Sequence, residues 1–142
     1  MANALFNPGR EGFLDGTIDW DTAVIKVALV RGYTFSASHK FVSDVTGAGG
    51  TLHVTSAALS SKTVTNGTAD AADVTYTAVT ANATNHSVLI FQASAVTGGA
   101  DVAATAQRLI AWIDTATNLP VQPNGGDITI TWDNGTNKIF TL

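Results

Sequence analysis

The chain has 142 residues and a formal net charge of −4, with 13% charged against 45% hydrophobic residues; that length suits a single domain spanning residues 1–142, and the charge content is about half that of an ordinary soluble domain. Its seven basic residues, Arg10, Lys26, Arg31, Lys40, Lys62, Arg108 and Lys138, are scattered singly, which argues against direct nucleic-acid binding through grouped Lys and Arg. Cysteine is absent, which excludes disulfides and thiolate metal sites, and apolar runs such as residues 87–93 are too short to span a membrane.

In chain order, residues 1–16 read as an N-terminal arm with one short helix, in which Asn7 is placed to cap, Pro8 suits the first helical position and Gly16 suits a stop. Arg10 and Glu11 fall where the apolar core of a signal peptide would run, so no such leader is expected and synthesis in the cytoplasm is. Leu5, Phe6, Phe13 and Leu14 are more apolar surface than so short an arm can cover by itself. They are the candidate partner-contact residues, and removal of residues 2 to 11 is expected to leave a folded β domain with weakened assembly.

Residues 22–30, "TAVIKVALV", alternate with period two, setting Ile25, Val27 and Leu29 against Val24, Lys26, Ala28 and Val30. A strand with two nearly apolar faces belongs in the middle of a sheet. Residues 30–50 lose that period and end in Gly47-Ala-Gly-Gly50, which predicts a long surface excursion. Beyond it come short strand candidates, "TLHVT", "SKTVT", "DVTYTAV", "SVLIFQA", "RLIAWID", "DITITW" and "TNKIFTL". Turn-rich joints at Asn66-Gly67, Gly98-Gly99 and "QPNGGD" separate them. Twenty-one threonines favour extended structure, while the Ala-rich "VAATAQ" is a rival helix of one or two turns. The reading is an all-β, single-domain antiparallel β-sandwich or barrel-like module with one short N-terminal helix and room for a second.

At the C-terminus, Asp133-Asn134-Gly135 suits a three-residue hairpin loop with Gly135 in the left-handed conformation. That register pairs Trp132 with Thr136, Ile130 with Lys138 and Ile128 with Phe140. It places Ile128, Ile130, Trp132 and Phe140 on one face.

Chemistry is harder to find. His39, His53 and His86 lack metal-ligand spacing, and Asp19-Trp20-Asp21, with Asp15, Asp114 and Asp127, lacks the loop that calcium requires. No serine lies in G-x-S-x-G or S-x-x-K, and Gly47–Gly50 is not followed by the Lys of a phosphate loop. Glu11 is the single glutamate, so paired-glutamate acid and base chemistry is excluded. The residues read as a non-enzyme with no cofactor and no metal. The aromatics Phe6, Phe13, Trp20, Tyr33, Phe35 and Phe41 gather in the first third, and plugging of the core is the favoured reading over display to a partner.

Two stretches, "GREGFLDGTIDWDTAVIKVALV" and "IDTATNLPVQPNGGDITITWDNGTNKIFTL", resemble the two ends of a family of small structural proteins of tailed bacteriophages. Members commonly carry an acidic residue and an extra stretch after the "VALV" strand, where this chain continues directly into Arg31-Gly32-Tyr33. The resemblance implies a virion component, first of all a decoration or cement protein on the outer head surface. Its partners would be the major capsid protein and two further copies of itself in a homotrimer, with neither nucleic acid nor membrane contacted. Within the same resemblance, a tail-tube or neck protein is the alternative. A carbohydrate- or receptor-binding β-sandwich using exposed Trp and Asp is the alternative from another class.

Overall fold

The computed structural model describes residues 3–142. The chain enters through a two-residue strand, β1 (Ala4–Leu5), and turns into helix α1 (Asn7–Asp15). Strand β2 (Val24–Arg31) follows, then helix α2 (Val42–Gly47), and then β3 (Thr51–Thr55), β4 (Thr63–Thr65), β5 (Thr68–Asp70) and β6 (Val74–Tyr76). The chain closes with β7 (Ser87–Ser94), β8 (Arg108–Ile113), β9 (Ile128–Ile130) and β10 (Phe140–Thr141).

These strands form an antiparallel five-stranded sheet in the order β1-β8-β7-β2-β3, a three-stranded sheet β10-β5-β4 and a two-stranded sheet β6-β9, none of them closed into a barrel. The period-two pattern of β2 explains its interior place. Ile25, Val27 and Leu29 join Val88, Ile90 and Ile110 beneath Ala69, Val74, Tyr76 and Ile130 of the two small sheets. Val24, Ala28 and Val30 join Leu89, Phe91 and Leu109 on the opposite face, covered by Phe6, Val42, Val45 and the rings of Tyr33 and Phe35. The main sheet is therefore covered on both sides: the small sheets make the second layer of a sandwich, and the arm with residues 33–45 makes a third.

Polar groups stitch the layers together. Tyr76 donates its phenolic hydroxyl to the carbonyl of Val27 at 2.6 Å across the buried interface, and burial pushes its pKa up from the usual tyrosine value. Ser56 Oγ accepts from the amide of the same Val27 at 3.0 Å. Tyr76→Phe keeps the ring and removes one of two donors to the Val27 carbonyl, which still accepts from the amide of Ser56 at 2.8 Å, so a loss of about 1 kcal/mol is expected in denaturant titration. No change would mean that this bond does not tie β6 to β2.

Three expectations need correction. The C-terminal hairpin does not form: β9 pairs with β6, Tyr76 opposite Ile128 and Val74 opposite Ile130, while β10 pairs with β5, Phe140 opposite Ala69. Trp132 is the reason, because its amide bonds Asp73 Oδ1 at 2.9 Å and its indole N–H bonds the carbonyl of Ala72 at 3.0 Å, fixing the chain beside β6. Positive φ falls at Lys138 (49°) and not at Gly135. Second, residues 30–50 are not a bare excursion. They contain α2, where the Asp44 carboxylate reaches back to accept from the amides of Phe41 and Lys40, just before the helix, at 2.9 and 2.8 Å; those two bonds hold the Asp44 carboxyl below its ordinary range. Third, the Ala-rich rival helix is absent, residues 101–107 being irregular chain.

Other details follow the sequence. Gly16 ends α1 with φ of 80°, although Phe6 rather than Asn7 takes the capping position. Asn66 and Gly67 both adopt positive φ, 51° and 77°, in the two-residue turn joining β4 to β5, as the mirror-image hairpin turn demands.

Candidate functional site

Aromatic packing builds a groove where the end of α1 meets the three-stranded sheet. Phe140 on β10 is pinned from two sides, by Phe13 of α1 with ring centres 5.7 Å apart and by Trp20 edge-on at 5.1 Å. Trp20 donates its indole N–H to the carbonyl of Asp70 at 3.2 Å, tying the segment after α1 to β5. Below it, the buried Gln92 carboxamide accepts from the amide of Asp19 and donates to the carbonyl of Thr17. The result is a cavity of about 250 Å³ with Phe13, Ile18, Phe140, Val64 and Leu142 among its walls.

Asp19 and Asp21 line the same cavity. Hydrogen bonds from Thr22 and Asp21 hold the Asp19 carboxyl below its ordinary range, whereas Asp19 raises Asp21. Lys62 stands close to both, its ammonium donating to the carbonyl of Ala23. One rim of the groove is β4, the outer strand of its sheet, with Thr63, Val64 and Thr65 all exposed. In the register Thr65 opposite Thr68 and Val64 opposite Ala69, the tight turn makes Thr65–Thr68 a hydrogen-bonded pair, so the N–H and C=O of Val64 point away from β5. An uncharged edge strand with a 56% exposed valine is a ready site for pairing with another chain.

The four candidate contact residues separate. Phe6 is fully buried within its own chain, 5.0 Å ring to ring from Phe35, and Leu5 is half-buried, packed against the main core. Their cover is the chain's own sheet, through β1 pairing with β8, so Phe6 is not free to meet a partner. Phe13 lines the groove. Leu14 is 89% exposed at the same end of α1. Sequence reasoning missed Val64 and Leu142; the signal was a lone valine between threonines, directly before a hairpin turn. The three tryptophans, Trp20, Trp112 and Trp132, are all buried, which removes the exposed indole on which the carbohydrate-binding alternative depended.

Sheet order assembles a second cluster that linear spacing hid. His53 on β3 and His86, just before β7, flank the end of β2, with ring centres 4.9 Å apart and planes perpendicular. Arg31 Nη1 lies 2.9 Å from His53 Nδ1. His39 stands apart, its Nδ1 2.9 Å from the Tyr33 hydroxyl. Among the described residues no three His, Asp or Glu gather as a metal site requires, and no helix is long and apolar enough to cross a membrane. Comparison with protein-family models, curated proteins and solved structures finds no match to this chain.

Proposed function

We propose that this protein is a non-enzymatic structural component of a tailed-phage virion: a head decoration protein that binds between major capsid protein subunits on the outer surface and assembles there as a homotrimer. The observation that carries the reading is the groove beside β4. Uncharged edge strand, exposed Val64 and Leu142 and an aromatic floor lie together, which suits an extended segment of a shell subunit that adds main-chain hydrogen bonds along β4 and an apolar anchor in the cavity. The resemblance of residues 9–30 and 113–142 to phage structural proteins supports the same reading. A module that binds only the assembled shell stabilises it by its binding free energy at every occupied position.

Co-sedimentation with purified undecorated heads tests it. The parent protein is expected to pellet with heads. Val64→Glu is expected to stay in the supernatant while melting within a few degrees of the parent, because substitutions at exposed positions change stability by about 0.5 kcal/mol or less. Equal pelleting of parent and variant would remove the groove from the interface. Copy number in purified virions decides placement: hundreds per particle fit the head, tens the tail tube, a few the neck.

A further inference from the structure

We propose that His53 and His86 form an acid-sensitive latch that fastens residues 79–86 and 121–126 to the five-stranded sheet when both imidazoles are neutral and releases them when they take up protons. The two segments hold each other through main-chain bonds. His86 and Val121 exchange both amides at 2.8 and 3.0 Å, Asn82 donates to Pro123 at 2.9 Å, and Val79 exchanges bonds with Gly125 and Gly126. Neither segment belongs to a named strand. The two imidazoles supply side-chain links to the main sheet. His53 on β3 bonds the carbonyl of Thr80 through Nε2 at 3.1 Å, and His86 packs its ring on His53 where it leads into β7.

The partners of each ring fix the protonation states. Thr84 O is 2.7 Å from His86 Nδ1 and can only accept, so Nδ1 carries the hydrogen and Nε2 the lone pair. That Nε2 is buried and has no hydrogen-bond partner. On His53, Thr80 O requires the hydrogen on Nε2, leaving Nδ1 to accept from Arg31 Nη1 at 2.9 Å. A proton on His53 Nδ1 would set two donors against each other, and a proton on His86 Nε2 would create a buried charge without an acceptor.

The groups facing His86 are His53 from β3, Arg31 from β2, and the backbone of Thr84 and Val121 from its own segment and the adjoining one; the charged ones are both basic. Burial, then His53 and Arg31, lower the His86 pKa from 6.5, while the Thr84 and Val121 backbone bonds oppose this in part. For a base whose folded pKa is lowered, the unfolded or opened state binds more protons. Its stabilising contribution is whole above about pH 6.5 and is lost progressively as the pH falls below that value. The window between pH 7.5 and 5.5 brackets the value at which an imidazole ordinarily takes up its proton.

Amide hydrogen exchange at pH 7.5 and 5.5, corrected for intrinsic chemistry, tests the latch. In the parent, protection of Asn82, His86 and Val121 is expected to fall by about tenfold or more while Leu89, Ile90 and Ile110 in the sheet keep theirs. His53→Gln offers Thr80 a donor and Arg31 an acceptor without titrating, and with His86→Gln it is expected to cut the change to less than about twofold. His39→Gln should leave the parent's response intact. Should the double variant be unfolded, His53→Gln alone must still roughly halve the response on a logarithmic scale. Uniform loss across the sheet, or a response unchanged by both substitutions, would overturn the proposal.

Discussion

Deletion of residues 2 to 11 is expected to abolish cooperative folding, the reverse of what the arm's apolar surplus suggests when its residues are read in isolation. The deletion removes β1, which pairs Ala4 with Trp112 and Leu5 with Ala111 along the edge of β8. It takes away the amide of Phe6 that bonds Ile110 O at 3.0 Å and that of Asn7 that bonds Ala37 O at 2.8 Å. It also takes away Phe6 itself, fully buried in the third layer. Truncating such a ring to alanine costs about 3–5 kcal/mol, against a total stability of about 5–15 kcal/mol for a domain of this kind. Phe6→Ala is the graded version and should lose about that amount in denaturant titration. A deleted chain that melts like the parent would show that the arm only rests on the sheet.

A second large effect is expected from one added carbon. A Cβ at Gly9 would lie 2.7 Å from the carbonyl oxygen of Leu109 and 3.1 Å from that of Ile110, both main-chain atoms of β8 that cannot rotate away. The glycine is there because α1 rests directly on the strand backbone. Gly9→Ala should therefore destabilise by on the order of 3 kcal/mol, although alanine is the better helix former by about 1 kcal/mol. Gly16→Ala makes the contrast. There φ is 80° and nothing lies within 4 Å of the added carbon, so only the conformational penalty of about 1–2 kcal/mol applies. Thermal melts of the two variants should rank Gly9→Ala clearly below Gly16→Ala. Equal melts would mean that α1 can slide on β8 at little cost.

Periodicity made β2, β7 and β8 legible, because a strand buried on both faces must be apolar on both and few other local structures require that. Partner choice was not legible. Ile128, Ile130, Trp132 and Phe140 do face one core, as their spacing says, yet β9 and β10 reach it through different neighbours, since the bonds of Trp132 to Asp73 and Ala72 span some sixty positions. Helix α2 was hidden for a related reason: six residues give too little period, and the organising Asp44 lies inside the helix rather than before it. The candidate groove was half visible. Phe13 was singled out, whereas Val64 and Leu142 became meaningful only once β4 proved to be an outer strand. The histidine pair was invisible, because 33 positions separate residues that are neighbours only across the end of β2.

The pairing of β1 with β8 also bears on how the chain reaches this state. Residues 4 and 5 meet residues 111 and 112, so β1 finds its partner only after all the chain between them has been made. Loop closure of that span is entropically costly, and topologies dominated by such pairings fold in milliseconds to seconds rather than microseconds. Throughout that interval β8 carries an open edge of main-chain donors and acceptors. The nascent molecule is therefore exposed to wrong pairings on the flank that β1 covers in the finished molecule, and crowding of newly made copies would act on that flank.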